Sequence, residues 1–269
     1  MSAQTRTEIA DLLERHGLTP SRRLGQHFLA DANITRRIVS DSGAGPGDRV
    51  IEVGAGTGTL TSALAATGAR VVAYEVDRRL RPVLEEVTAG SGAELRFEDV
   101  TGVDFGAVFP DPPWYLVANL PYNVGTPLVM DVLRHAPGIV RLVVMVQREV
   151  AERLVARPGS PAYGLPSVVA GIHSRSRLAF AVPPQVFYPA PRVESAVVVM
   201  DRVPAPLHAE QAVELARAGF SKRRKMLRAS LAGTVADPTA LLLRAGFEPT
   251  QRAETLGPAD FLDLAGAQL

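Results

Sequence analysis

The sequence predicts an α/β protein: a Rossmann-like, doubly wound sheet that ends in an antiparallel hairpin, followed by a small C-terminal helical domain. Three observations predict it. Short continuous apolar runs alternate with amphipathic stretches from residue 49 to residue 155, as in a parallel sheet covered on both faces. Beyond residue 157 the pattern changes to two strand-like runs, 176–182 and the β-branched 193–200, joined across a proline-rich turn at 183–191. From residue 207 onward only helical spacing remains.

The elements follow in order. Residues 7–16 form a short amphipathic helix with Ile9, Leu12 and Leu13 on one side. Residues 22–29, Arg-Arg-Leu-Gly-Gln-His-Phe-Leu, make an irregular, basic lead-in. Asp31 is placed to cap a helix running through Ile34, Ile38 and Val39. A glycine-rich breaker at 43–47 ends it. Strands are expected at 49–53, 70–75, 94–98, 115–118 and 140–146, with helices at 60–66, 80–89, 127–133 and 149–155. The 80–89 helix has two readings: it is capped by Asp77 and disturbed by Pro82, or it starts with Pro82 at its first position. Pro204-Ala205-Pro206 reads as a linker, dividing the chain into domains 1–203 and 204–269.

Composition narrows the function classes. With 269 residues, 46% hydrophobic and 21% charged, the chain can bury a sizeable core. No apolar run approaches the roughly 20 residues that span a bilayer. The N-terminus has no signal-peptide core, so a cytoplasmic protein without a membrane partner is expected. Zero Cys excludes disulfides, thiolate metal sites and a thiol nucleophile, and no metal site is expected.

Two loops carry chemistry. Gly54-x-Gly56-x-Gly58 follows a strand and lets the backbone approach a ligand before a helix N-terminus. Nicotinamide and flavin proteins use glycines in the same way, and a plain turn is a further alternative. Glu75, 21 residues beyond Gly54, ends the next strand, where an acid grips both hydroxyls of a ribose; the competing role is a helix cap. Asp99 ends the third strand and can accept from an adenine amine, or shape its own turn.

The second loop, Asn119-Leu120-Pro121-Tyr122, separates methyl transfer from hydride transfer. An exocyclic adenine amine is a poor nucleophile because its lone pair is delocalised into the ring. The Asn119 side-chain oxygen and the Leu120 carbonyl supply two acceptors for its two hydrogens, drawing the nitrogen towards tetrahedral geometry. Pro121 restricts Leu120 and keeps that carbonyl aimed. Tyr122 can stack on the base, a contact worth roughly 1–3 kcal/mol. Catalysis of this kind is mainly positioning and electrostatics. The competing reading is a proline turn with a packed tyrosine. Phe187 or Tyr188, on a rigid turn before the last strand, is placed to close the other face of a flipped base, or else simply to pack. The two loops together point to an S-adenosylmethionine-dependent N-methyltransferase acting on a nucleobase.

Net charge is only +1, so bulk charge announces no polyanionic partner. Its distribution says more. Arg22-Arg23 and Arg36-Arg37 lie near the N-terminus, and Lys222, Arg223, Arg224 and Lys225 with Arg228 form a cluster that holds the chain's two lysines. A basic run is ordinarily a solvated helix face. Beside a nucleobase-modifying motif, phosphate contact is the better reading, making this cluster the expected RNA-binding segment.

Five segments occur in order: Gly25-Gln26-His27-Phe28-Leu29, the 52–58 glycine loop, Asn119-Leu-Pro-Tyr-Asn123, Phe187-x-Pro-x-Pro-x-Val-x-Ser195 and Phe220-Ser-Lys-Arg-Arg-Lys225. They resemble the ribosomal RNA adenine dimethyltransferase family, and within it the bacterial small-subunit (KsgA-type) enzymes, from about residue 20 to the C-terminus. The resemblance implies S-adenosylmethionine-dependent dimethylation of two adjacent adenosines in a hairpin loop near the 3′ end of small-subunit (16S) rRNA, within an assembling 30S particle. A monomer is expected. In the family, cofactor contacts come from positions matching His27, Leu29, Gly54, Glu75, Asp99 and Asn119, with Gly56 in the same loop. The position matching Phe187 lies beside the target base with Tyr122. The chain departs from the family pattern at His27, where Asn is common, and at Ala55, where Pro is frequent.

Two alternatives remain in view. Erm-type enzymes, which methylate large-subunit (23S) rRNA and give macrolide resistance, share the cofactor motifs and the Asn-x-Pro-Tyr turn. Asn123 and the Phe-x-x-Arg-Arg-Lys run favour the small-subunit type. A non-catalytic rRNA-binding assembly factor is opposed by the intact Gly54, Glu75 and Asn119, and nothing offers a dehydrogenase its hydride-transfer site.

Overall fold

The structure, a computed structural model, describes residues 4–121, 124–222 and 225–268. Two compact units emerge: residues 1–151 with 177–201, and residues 152–176 with 202–269.

In the first unit, helix α1 (Arg6–Arg15) starts at a reciprocal cap: Thr5 Oγ1 accepts from Glu8 N–H at 3.3 Å, and Glu8 Oε2 accepts from Thr5 N–H at 2.6 Å. Its apolar face of Ile9, Leu12 and Leu13 is buried, as the spacing predicts. After β1 (Phe28–Leu29), α2 (Ala32–Ser42) is capped by Asp31, whose Oδ1 accepts from Asn33 and Ile34 N–H at 2.8 and 2.9 Å. The alternation then runs β2 (Arg49–Val53), α3 (Thr59–Ala65), β3 (Arg70–Tyr74), α4 (Arg81–Val87), β4 (Glu94–Arg96), α5 (Phe105–Val108), β5 (Trp114–Asn119), α6 (Gly125–His135), β6 (Ile139–Gln147) and α7 (Arg148–Leu154). Both readings of the 80–89 region hold in part. Asp77 caps a single 3-10 turn at Arg78–Leu80, and α4 begins after it with Pro82 in its first turn.

Beyond α8 (Leu165–His173) come β7 (Ser174–Val182), β8 (Phe187–Tyr188) and β9 (Ser195–Arg202). The main sheet has seven strands in the order β4-β3-β2-β5-β6-β9-β7. β4, β3, β2, β5 and β6 pair in parallel, and β9 runs antiparallel to β6 with Val144 opposite Val198. The expected fold class is therefore observed, with its antiparallel return strand inserted between β6 and the edge. Val50, Ile51, Leu116, Val117, Leu142 and Val143 are all buried, which is why these strands read as unbroken apolar runs rather than alternating ones.

A second, two-stranded sheet was not anticipated. β1 pairs antiparallel with β8, setting Phe28 opposite Tyr188 and Leu29 opposite Phe187. Strands of two residues have no periodicity to read, so the sequence shows only an irregular lead-in and a proline-rich turn.

In the second unit α8 packs on α9 (Ala209–Ser221) and on α12 (Pro258–Gly266), with α10 (Leu227–Leu231) and α11 (Pro238–Arg244) between them in sequence. Tyr163, Phe220 and Phe261 stack in series with ring centroids 5.8 and 6.2 Å apart, and Tyr163 OH donates to Leu256 O at 2.8 Å. From residue 207 to 268 the described residues form helices and turns only. The linker reading cut the chain at 203, whereas residues 152–176 group with the C-terminal helices. The physical reason is the apolar face of α8, with Val168, Val169 and Ile172 buried. Among the described residues no helix is long and apolar enough to cross a membrane.

Candidate active site

The C-terminal ends of β2, β3 and β5 surround a pocket in the first unit, where open α/β sheets bind ligands. β2 ends at Val53, and the chain turns through Gly54 (φ 79°) and Gly56 (φ 58°), both left-handed. A Cβ on Gly54 would stand 3.3 Å from the Asn119 carbonyl oxygen, and one on Gly56 2.9 Å from the Phe28 ring. The loop therefore needs hydrogen at both positions to lie this close to β5 and to the lead-in. The N–H groups of Gly54 and Ala55 both donate to Tyr74 O, at 2.9 and 3.0 Å, which pins the loop to the end of β3.

Glu75 follows β3 directly and is 6% exposed. Its Oε2 accepts from Gly56 N–H and its Oε1 from Asp77 N–H, both at 2.8 Å. Burial pushes its carboxyl above the usual carboxylate range, against the pull of the two N–H groups. An ionised carboxylate offers about four acceptor sites, so two bonds leave it capacity towards the pocket that it lines. Shaping the loop and meeting a ligand are thus compatible here.

Asp99 lines the same pocket and is exposed. The turn-forming role foreseen for it is present: Oδ1 accepts from Thr101 N–H at 2.9 Å and from Thr101 Oγ1 at 2.8 Å. These bonds, the backbone one first, hold its carboxyl below the usual range.

Asn119 is the last residue of β5, and its Nδ2 donates to His27 O at 3.1 Å. That bond uses one of the two Nδ2 hydrogens and turns the amide so that Oδ1 is left as its acceptor. Leu120 is buried, its N–H donates to Met145 O at 3.0 Å, and its carbonyl accepts nothing among the described residues. Pro121 packs against Gly54, and its carbonyl accepts from Val124 and Gly125 N–H at 3.1 and 3.2 Å, launching α6. His27 hydrogen-bonds through Nδ1 to Pro189 O at 2.7 Å, while Leu29 borders a small adjoining recess with Gly54 and Asn119.

The structure thus brings His27, Gly54, Gly56, Glu75, Asp99, Asn119, Leu120 and Pro121 to one pocket, with Leu29 beside it. It does not bring Phe187. That ring is 1% exposed and packs in the core with Leu29, Phe180 and Val182, because the β1–β8 pairing turns it inward. The ring therefore does not line this pocket, where the resemblance implies a place beside the target base. Tyr122 lies outside the described residues.

Three residues on the site escaped sequence reasoning. Gln26 ties the lead-in to β3: its Oε1 accepts from Ser21 N–H at 2.7 Å, and its Nε2 donates to Asp77 Oδ2 at 2.9 Å. Val76 presents an exposed apolar side chain on the pocket wall between two acids. Glu52 is 1% exposed, its Oε2 accepts no hydrogen bond, and burial pushes its carboxyl up to about 8. The signal for Gln26 and Glu52 was their place within the Gly-Gln-His-Phe-Leu and glycine-loop segments. Val76 left none.

The basic cluster belongs to the second unit. Lys222 caps the C-terminus of α9, Lys225 N–H donates to Lys222 O at 2.8 Å, and Arg228 lies in α10. Lys222 and Lys225 are exposed and lie between α9 and α10, and Arg228 is exposed in the first turn of α10, so the described members do not share one helix face. Arg223 and Arg224 lie outside the described residues.

Comparison with known proteins agrees with this geometry. A protein of Phenylobacterium zucineum called ribosomal RNA small subunit methyltransferase A is 44% identical over 273 residues, spanning 100% of this chain and 95% of its own length. A dimethyladenosine transferase from Plasmodium falciparum superposes with a TM-score of 0.73 over 88% of this chain and 96% of its own; at 24% identity it supports the fold alone. The 23S rRNA methyltransferase ErmE superposes with a TM-score of 0.68 over 89% of this chain and 98% of its own, at 25% identity. The model of the ribosomal RNA adenine dimethylase family matches residues 18–267, and the chain belongs to that family.

Proposed function

We propose that this protein uses S-adenosylmethionine to dimethylate the exocyclic amines of two adjacent adenosines in the 3′-terminal hairpin loop of small-subunit rRNA, acting as a cytoplasmic monomer on an assembling 30S particle. The observation that carries the reading is the bond from Asn119 Nδ2 to His27 O at 3.1 Å. It sets the side-chain oxygen as an acceptor next along the chain to the Leu120 carbonyl, which accepts nothing among the described residues, and the two make the pair that an adenine amine requires.

The residues fit the cofactor. The glycine loop is a cradle that a Cβ at Gly54 or Gly56 would fill. Glu75 has lone pairs to spare for a ribose diol, and the second oxygen of Asp99 is left for an adenine amine. His27 and Leu29 close the site from the lead-in, with Gly54, Gly56 and Asn119 along the methionyl end. When bound, the cofactor supplies an electrophilic methyl group on a sulfonium. Asn119 and Leu120 hold and orient the amine, Pro121 keeps the Leu120 carbonyl aimed, and Tyr122 stacks on the base. Phe187 supports the lead-in from the core side. Lys222, Arg223, Arg224, Lys225 and Arg228 contact rRNA phosphates. The named small-subunit relative at 44% identity, against 25% for ErmE, supports the small-subunit substrate over the large-subunit one.

The test is methylation of 30S particles from cells lacking this gene, with dimethyladenosine mapped by mass spectrometry. Two adjacent dimethyladenosines should appear in the 3′ hairpin loop only when protein and S-adenosylmethionine are both added. Modification of 23S rRNA instead, or none at all, would overturn the assignment.

A further inference from the structure

Arg22-Arg23 and Arg36-Arg37 are the basic pairs that the proposed function leaves unused; Arg36 is held by Asn33 and Arg37 lies over the Phe180 ring, whereas the setting of Arg22 and Arg23 is specific. They sit on a tight turn closed by Gly25 N–H to Arg22 O at 3.1 Å and Gln26 N–H to Ser21 O at 3.2 Å, with Gly25 at φ 64°. The next four residues, Leu24 to His27, line the pocket. The Gln26 Nε2–Asp77 Oδ2 bond at 2.9 Å draws this turn against the segment after β3, where Arg78 directly follows Asp77. All three arginines are exposed, and among the described residues none has a carboxylate at ion-pair distance. Their neighbours differ: Arg79 is held by Asp77 at 2.6 Å and Arg81 by Glu85 at 3.3 Å.

Three uncompensated guanidiniums beside a pocket, on a chain of net charge +1, make a local field that the whole molecule lacks. An adenine that reaches the pocket must leave its stack, and its own phosphate and the adjoining ones then come to the mouth. We infer that Arg22 and Arg23, with Arg78, form a phosphate-binding rim that grips the RNA strand flanking the flipped adenosine. The inference rests on the proposed rRNA substrate and names a contact surface separate from the Lys222–Arg228 cluster. A turn held by backbone bonds and by the Gln26 side chain presents the pair without an ordering cost at the moment of binding.

The test compares wild type with the double variant Arg22→Gln/Arg23→Gln, and with Arg22→Lys/Arg23→Lys, for binding to unmethylated 30S particles across a salt series. Each phosphate contact contributes about 0.7 to the slope of log K against log salt on a single strand. The Gln pair should therefore flatten the slope by about 1.4, and the Lys pair should restore it. Affinity for S-adenosylmethionine, measured by calorimetry without RNA, should stay within about twofold of wild type. A Gln variant with the wild-type slope overturns the rim, as does one that loses cofactor affinity while keeping the slope. If wild type itself fails to methylate the particle, the proposed function has failed. Methylation by wild type with an unchanged slope in the Gln variant removes the rim alone.

Discussion

Replacing Asn119 by Ala removes two different things, and the structure lets each be weighed. The first is the bond from Nδ2 to His27 O at 3.1 Å, which anchors the lead-in across β5. A neutral hydrogen bond of this kind contributes about 0.5–1.5 kcal/mol, and its loss should appear as weaker cofactor binding of at most about tenfold. The second is the Oδ1 acceptor aimed at the amine, an electrostatic partner formed in advance of the reaction. Removing such a partner costs a hundredfold to a thousandfold, about 2.7–4 kcal/mol. Single-turnover methyl transfer on 30S particles, with both substrates saturating, should therefore fall at least a hundredfold, while particle binding persists because phosphates supply most of it. Asn119→Asp separates the two effects. It keeps an acceptor but sets an oxygen against the His27 carbonyl, so it too should be slow. Turnover of Asn119→Ala within fivefold of wild type would refute the role given to this side chain. Full activity of Asn119→Asp would show that the anchoring bond is dispensable.

Two further outcomes follow from buried acids. Glu75→Ala should weaken S-adenosylmethionine binding by about 1–3 kcal/mol, roughly 5- to 150-fold in calorimetry, with particle affinity unchanged; equal cofactor affinity in the two proteins would count against the ribose assignment. Glu52, raised by burial from 4.5 to about 8, should make stability fall as pH rises. Below about 4.5 both states carry the proton and stability is full. Between there and about 8 only the unfolded chain ionises, a loss approaching 1.4 kcal/mol per pH unit until the folded carboxyl titrates. Glu75 is shifted in the same direction and adds to this slope. Urea unfolding at pH 5 and pH 8 should show Glu52→Gln losing less stability than wild type over that interval; parallel losses would mean that Glu52 does not stay protonated.

Much of this architecture was legible in the sequence because its causes are local. Strands buried on both faces read as apolar runs, so β2, β3, β5 and β6 stand within two residues of their expected places. Asp31 caps α2 because a short acceptor before an apolar-periodic stretch does so wherever it occurs. Gly54 and Gly56 were recognisable because only glycine tolerates those backbone angles and contacts.

What the sequence could not decide is whatever depends on partners distant along the chain. The β1–β8 pairing joins residues about 160 positions apart, and it alone puts Phe187 in the core rather than on the pocket wall. Gln26 becomes a site residue only because Asp77, 51 positions away, lies 2.9 Å from it. Residues 152–176 join the C-terminal helices because α8 buries its apolar face there, which no composition shift at a linker reports. Local backbone preference and periodicity are written residue by residue, so the sequence alone determined the parallel strands and the helices between them, the glycine loop and the Asn119 turn. Tertiary packing decided which side of an aromatic is buried, which amide is spent as donor and which acid loses its solvent, since each depends on neighbours that only the folded chain supplies.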